Sequence, residues 1–284
     1  MRKYVLVAET GSDIPKATAE ELGIYLAPMH VSLGEVTKDD GAFPVEEVVD
    51  YYKTTGKLPK TSGCTPDDFI GLFDRIHAEH PDAHIIHLAY SASTTCSYQS
   101  AILAAEGRDY VSSFDTKHVS AGQAAIVLKL NSILNEKPDM TLDEVRDVIE
   151  DLTARARMWF SPDNLEFLRA GGRVSNATFI IGSVLKIHPR IELIDGKLIA
   201  THKYRGKMRQ LAPKIVAEFT AQQEMEKECA YLIVTPGLDR QTQDDAEAAA
   251  REAGFERVEW IKTGCVITTH GGPGAFGIAG FVKK

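Results

Sequence analysis

The sequence predicts an α/β protein of two lobes, a parallel-sheet α/β unit followed by an α+β unit. Three observations carry that prediction. At 284 residues the chain exceeds a single average domain. Through Leu134, short β-rich runs alternate with helical patterns, the mark of βαβ units and a parallel sheet. Near Thr141 the alternation gives way to long helices and a hairpin pattern. The lobes are therefore expected at 1–157 and 158–284.

In order along the chain, Tyr4 to Ala8 (YVLVA) is a strand closed by Thr10-Gly11-Ser12-Asp13, with Pro15 opening a helix that runs through Leu22. The apolar run Ile24 to Val31 passes through Pro28, which makes it a bent or edge strand. Val45 to Lys53 is helix, His84 to Tyr90 strand, Tyr98 to Glu106 helix, Tyr110 to Phe114 strand, and Ala121 to Leu134 helix. Right-handed crossovers would set helices on both faces of such a sheet. After the change of pattern near Thr141, a helix from Leu142 to Arg157 precedes MWFSPDNLEFLRAGGRVS and an apolar segment from Phe179 to Ile187. RIELIDGKLIATHKY then reads as a hairpin turning at Asp195-Gly196. A helix from Lys207 to Glu226 contains Pro213. A strand at Ala230 to Thr235, a helix at Asp244 to Ala253 and a strand at Arg257 to Ile261 follow.

Apolar residues at 44% and charged residues at 25% are the balance of a soluble globular protein with large cores. The net charge of −8, without a basic block, argues against nucleic acid and strong membrane attraction. Cys64, Cys96, Cys229 and Cys265 are far apart and show no CxxC spacing. That pattern predicts no metal site, and free thiols suit a reducing cytoplasm. MRKYVLVAE turns polar too soon for a signal peptide, and no stretch reaches the roughly 18 apolar residues of a membrane span. A cytoplasmic location is expected.

Three polar turns each fall near the end of a predicted strand or the start of a helix: Glu9 to Asp13, Thr61 to Asp68, and Ser91 to Ser97. Ligands of open α/β sheets collect there, and helix N-termini suit anions. Helix capping is the simpler role for Thr65, which precedes Pro66 and two acids. The Ser91 to Ser97 run holds five hydroxyls, more than capping requires, and is assigned to an anion. Near the C-terminus, His270 sits among hydroxyls and glycines in VITTHGGPGAFGIAG, with a structural role weighed against a functional one. His84 and His87 face opposite sides of their strand, which disfavours metal ligation. Arg173, after Gly171-Gly172, and Arg205 are either solvated charges or a basic patch for phosphate or carboxylate. No Walker A loop and no GxGxxG fingerprint follows the first strand, which disfavours dinucleotide binding, and no GxSxG elbow is found.

Together these segments resemble the DegV family, fatty-acid-binding proteins of mostly Gram-positive bacteria. VAETGSDIP is similar to its opening strand and turn, KTSGCTPDDF to its TSQPSP-type element, and YSASTTCSYQSA to its SS-x-x-SGTYQSA element. SSFDTKHVSAG resembles D-S-x-x-x-S-x-G, LRAGGRVSN the GGRI element, LKIHPRIELIDGKL the L-x-KP-I…G segment, and ITTHGGPGAFGIA the closing H-x-GPG-x-x-G. The matches run in family order from about residue 5 to 280. Departures are Glu9-Thr10-Gly11 for Asp-Ser-Thr, Gly63-Cys64 for Gln-Pro, Ala92 for a serine, and Thr95-Cys96-Ser97 for Ser-Gly-Thr.

The resemblance implies a two-lobed DegV-like fold with a long-chain fatty acid in a buried tunnel and no other cofactor. It implies that Thr61, Ser62, Ser91, Ser93, Thr94, Thr95 and His270 hold the carboxylate. It further implies a non-enzymatic carrier that presents the acid to a fatty acid kinase catalytic subunit in phospholipid metabolism. Arg173 and Arg205 would face that kinase, or the membrane surface in transient contact. The alternative is a hydrolase or transferase acting on a small carboxylate or acyl ester, with Ser93 or a neighbour paired to His270. A kinase in its own right is a third reading, which the missing Walker loop disfavours.

Overall fold

The structure, a computed structural model, describes residues 3–176, 187–222 and 224–284. The chain begins with β1 (Tyr4–Glu9), a short 3₁₀ turn at Thr10–Ser12, α1 (Lys16–Leu22), β2 (Ile24–Ala27), β3 (His30–Leu33), β4 (Val36–Asp39), α2 (Glu46–Thr55) and β5 (Lys60–Ser62). It continues through α3 (Pro66–Glu79), β6 (His84–Ala89), α4 (Ser97–Ala104), β7 (Val111–Asp115), α5 (Ser120–Glu136) and α6 (Leu142–Arg155). The second half holds β8 (Ala156–Ser161), α7 (Leu165–Gly171), β9 (Ile187–Ile194), β10 (Lys197–Arg205), α8 (Met208–Gln222) and β11 (Cys229–Val234). It ends with α9 (Arg240–Glu252), β12 (Arg257–Lys262), α10 (Cys265–Gly271) and β13 (Phe276–Phe281).

The first lobe is built on a parallel sheet in the order β2-β1-β6-β7. β1 is buried along its length, as the unbroken YVLVA run requires of a strand covered on both faces. The second lobe is a six-stranded sheet, β10-β9-β8-β13-β11-β12, antiparallel except for β11 and β12. Helix α5 packs on β1 and β6 of the first sheet and on β8, β11 and β13 of the second. One apolar core therefore runs from Tyr4 to Phe281, and a second cluster around α8 and α9 backs the far face of the larger sheet.

Several elements depart from the sequence expectation. The run Ile24 to Val31 is two strands broken at Pro28, and β3 leaves the parallel sheet to pair with β4 and β5 in a small antiparallel sheet. Proline has no N–H to offer a ladder, so the chain turns there. The helix expected to reach Arg157 ends at Arg155, and Ala156 is already extended (φ −61°, ψ 140°). Met158, Trp159 and Phe160 favour the pleated surface of β8 over another helical turn. The glycine-rich tail is also ordered: Val266 to His270 is helix, and β13 lies inside the sheet. Gly277 is needed there because a Cβ would come within 2.7 Å of the Trp159 carbonyl oxygen. The expected segment from Phe179 lies outside the described residues up to Ile187. Asp195 and Gly196 turn the β9–β10 hairpin at φ 49° and 78°, as their residue types predict.

Because α5 serves both sheets, a cavity in it should weaken the whole protein. Ile126, fully buried in the shared core, tests this. Ile126→Ala should cost about 2–5 kcal/mol, read in denaturant melts as one displaced transition. Two separate transitions, with only one displaced, would contradict the shared core.

Candidate functional site

Sheet order 2-1-6-7 places the topological switch between β1 and β6, where loops leave in opposite directions and a crevice opens. The Glu9 and Ser91 turns meet there. Glu9, fully buried, accepts the Tyr90 N–H (2.8 Å) and the Gln123 side-chain amide (2.8 Å) through Oε2, and its Oε1 lies 3.3 Å from His87 Nε2. A buried carboxylate is costly unless it is bonded. Here those bonds tie the ends of β1 and β6 together beneath the hydroxyl turn.

The turn is braced from several sides. The Ser91 N–H donates to the His118 carbonyl (2.9 Å), and its hydroxyl donates to the Gly196 carbonyl at the hairpin tip (2.6 Å). The Thr94 N–H and hydroxyl both donate back to the Ser91 carbonyl, at 3.0 and 2.9 Å. The Ala92 N–H reaches Asp115 Oδ1 at 3.2 Å. At the other end, Ser97 Oγ lies 3.1 Å from Thr95 Oγ1 and accepts the Cys64 N–H, also at 3.1 Å. A Cβ on Gly63 would fall 2.3 Å from Thr95 Oγ1, so this end of the turn rests directly on the segment after β5.

Opposite stands α10, whose last turn carries His270. Thr61 Oγ1 hydrogen-bonds His270 Nε2 at 2.8 Å. Among the described residues His270 Nδ1 has no hydrogen-bond partner, and it lies against Gly171, where a Cβ would approach it to 2.4 Å. Burial, with the nearby Arg173 charge, pushes the imidazole down to about 4, so it is neutral at physiological pH. Arg173 is itself held by a bond from Nη1 to the Gly171 carbonyl (2.8 Å). Behind His270 lies a small cavity of about 50 Å³, walled chiefly by apolar side chains including Met158, Phe160, Leu198, Ile233, Ile267 and Phe276. Wider open clefts, of about 840 and 1050 Å³, lie on either side of the molecule. Neither reaches the His270–Thr61 pair, so size does not mark the site.

The expected residues separate into groups. Thr61, His270 and the Thr95 end of the turn converge. Ser93 is exposed beside Gly196, where a Cβ would lie 3.2 Å from its hydroxyl. Ser91 and Thr94 spend their hydroxyl protons on the frame, and so are supports for a ligand rather than donors to it. Ser62 is exposed and follows Thr61 on a strand, so it points to the opposite face. The Ser93–His270 pairing of the hydrolase reading is not formed, because His270 Nε2 is bonded to Thr61. Thr65 is a helix cap, accepting the Asp68 N–H at 3.3 Å with a reciprocal bond at 2.7 Å. His84 and His87 bond the Ser112 and Ser113 hydroxyls. No cluster with metal-ligand geometry occurs among the described residues.

The two arginines do not form one patch. Arg173 acts electrostatically on His270 and Tyr90. Val174 bridges to Leu198 near the hairpin tip, while Arg205 lies seven residues further along β10, roughly 23 Å away. Glu9 and Asp13 had no individual role in the sequence reading. Their only signal was a pair of acids flanking a short turn at a strand end.

Fold and site together define a two-lobed α/β protein with a neutral polar mouth over an apolar interior. The chain belongs to the DegV family, whose model, described as "Uncharacterised protein, DegV family", matches residues 3–283. A DegV domain-containing protein of Caldanaerobacter subterraneus is 28% identical over 98% of both chains. A DegV family protein of Thermus thermophilus, described for its fatty acid binding, superposes at TM-score 0.88 with 28% identity over the full length of both chains. A fatty acid binding DegV family protein of Streptococcus agalactiae gives TM-score 0.81 and 25% identity, again over both full lengths. No helix among the described residues is long and apolar enough to cross a membrane.

The frame carries a pH signature. His118 is buried and its imidazole is pushed down to about 4, first by burial and then by Arg157. The folded state therefore prefers the neutral ring. This contribution is whole above the unfolded value near 6.5 and is lost as pH falls from there to about 4. Between pH 7 and 4 the wild type should lose about 3 kcal/mol more stability than His118→Gln. Parallel losses in urea melts of both proteins would refute the assignment.

Proposed function

We propose that the chain binds a long-chain fatty acid, with its carboxylate at the Thr61–His270 pair and its acyl chain in the cavity behind. The observation that carries this is a hydroxyl–imidazole pair of 2.8 Å, without a formal charge of its own, whose imidazole lines a chiefly apolar cavity. The fatty acid binding described for the Thermus and Streptococcus proteins supports it. Hydroxyls of Thr61 and Thr95 meet the carboxylate as donors. Arg173 supplies the opposite charge from the rim, where solvent lowers the cost of keeping it. Ser62 has no part in this arrangement.

The acyl chain supplies the affinity. At about 0.8 kcal/mol per CH₂, roughly fifteen methylenes give on the order of 12 kcal/mol gross, from which association and ordering remove several. The cavity of about 50 Å³ is well below the usual ligand site of roughly 300 Å³ or more, so binding must displace side chains. Met158, unbranched and adaptable, lies on that wall. In this reading lobes 1–157 and 158–284 close over the ligand. The chain acts as a carrier in the cytoplasm, presents the carboxylate to a fatty acid kinase catalytic subunit, and touches the membrane only transiently.

Mass spectrometry of the denatured, purified protein should release fatty acid near stoichiometry. Finding none, with no uptake of added lipid, would refute the proposal. Thr61→Val and His270→Ala each remove a bond to a charged group and should weaken binding by about ten- to a hundredfold. Arg173→Ala should weaken it too, and not only lower kinase coupling. Turnover of acyl esters, lost in His270→Ala, would point instead to the hydrolase.

A further inference from the structure

We infer that Asp13 and Asp40 are positioning residues for His270, seating α10 from the first lobe so that its last turn delivers the imidazole to Thr61. The two carboxylates come from separate loops, after β1 and after β4, and converge on one helix start. Asp13 Oδ1 accepts the Gly264 N–H at 2.7 Å, and Asp40 Oδ1 accepts the Cys265 N–H at 2.8 Å. Gly264 is squeezed between them: a Cβ there would lie 3.0 Å from Asp40 Oδ1 and 3.4 Å from Asp13 Oδ1. Both side chains are buried, at 5% and 4% exposure.

Strain marks the same place. Asp13 and Ser120 both occupy the left-handed region, at φ 59° and 45°. They are bonded to each other, Ser120 Oγ donating to Asp13 Oδ2 at 2.5 Å. Such conformations persist only where surrounding contacts over-determine them, and they gather at functional sites. Ser120 also lines the cavity behind His270. A continuous path thus runs from the cavity wall through Ser120 and Asp13 to the start of α10, and along α10 to His270 and Thr61.

The path is short and stiff. Six residues separate Gly264 from His270, roughly 9 Å of helix. Every anchor named here on α10 and its leading residue, Asp13, Asp40 and Thr61, comes from the first lobe, whereas α10 and the preceding β12 belong to the second. The carboxylates cap backbone N–H groups at the positive end of the helix, where negative charge is favourable. Burial pushes both up from the ordinary carboxylate range, and each faces the other. Asp13, Asp40 and Gly264 also line the cleft of about 1050 Å³, and two acids so nearly buried at its wall are hard to explain as filler for a core.

The affinity arm of the test rests on the fatty acid reading, and the spectroscopic arm does not. In ¹⁵N-histidine spectra of the lipid-free chain, the His270 ring, assigned by its loss in His270→Ala, should show a hydrogen-bonded nitrogen and titrate near 4. Asp40→Ala should move that resonance to the solvent-exposed position, raise its midpoint, and weaken palmitate binding about tenfold or more. Asp40→Asn, which keeps an acceptor for the Cys265 N–H, should restore both. Gly264→Ala, allowed at φ −74°, should act in the same direction more mildly, and it carries the test if Asp40→Ala fails to fold. An unchanged His270 resonance in Asp40→Ala, or in Gly264→Ala where that variant stands in, would overturn the inference. A wild type that binds no palmitate would sink the lipid reading and leave the spectroscopic result standing.

Discussion

One helix has to fill two cores, and the rest of the molecule is arranged around that constraint. Helix α5 is buried over most of its first three turns, including Ala121, Gly122, Ala124, Ala125, Ile126 and Val127. Small residues let both sheets come close. At Gly122 a Cβ would fall 2.8 Å from His118 Nδ1 and 3.2 Å from Met158 Cβ, one contact toward each lobe. The close approach brings the Ser120 start of α5, the Ser91 turn and the β9–β10 tip into one neighbourhood. The site follows from the way the two lobes share a core, so it belongs to neither lobe alone.

The electrostatics have a consistent division of labour. The titratable side chains bracing the turns are acids, Glu9, Asp13 and Asp40, and each is engaged by a backbone N–H group. They brace the turns and helix starts on which the Thr61–His270 pair rests. Groups at the mouth are neutral: hydroxyls, and an imidazole kept uncharged by burial and by Arg173. On the proposed reading, a second fixed cation at the mouth would have to be desolvated along with the carboxylate, and hydroxyls avoid that cost. The Arg173 charge at the rim is screened when the site is empty and effective once water is excluded.

Much of this was legible in the sequence, for local reasons. The YVLVA and HIIHLAY runs, the Asp195-Gly196 turn and the Thr65-Pro66 cap state their structures in neighbouring residues. What was not legible depends on partners far along the chain. Ser62 follows Thr61, yet strand alternation separates their faces, and that matters only once β5 exists. Ser91 resembles a ligand donor until the Gly196 carbonyl, 105 residues away in sequence, takes its proton. Arg173 and Arg205 read alike as basic positions, but the hairpin carries one to the site and the other away. Strand β8 was hidden because Ala and Arg extend a helical pattern that only the larger sheet interrupts.

The departures from the family pattern compensate one another across a single contact. Glycine at position 63, where glutamine is usual, opens the space that the Thr95 and Ser97 hydroxyls fill; with a Cβ there, gaps of 2.3 and 2.6 Å would exclude both. Cysteine at 64, where proline is usual, restores an N–H, and that N–H satisfies Ser97 Oγ. Cys96, in place of glycine, sits at φ −83° and needs no left-handed backbone. Ala92 is exposed, and its N–H is already held by Asp115, so the hydroxyl missing from its side chain leaves nothing buried unpaired. Bulk has moved from one segment to the other, and the N–H gained at position 64 finds its acceptor in the Ser97 hydroxyl. Substitutions that would each be costly alone are tolerable together, because the constraint acts on the contact between the turns and not on either sequence motif.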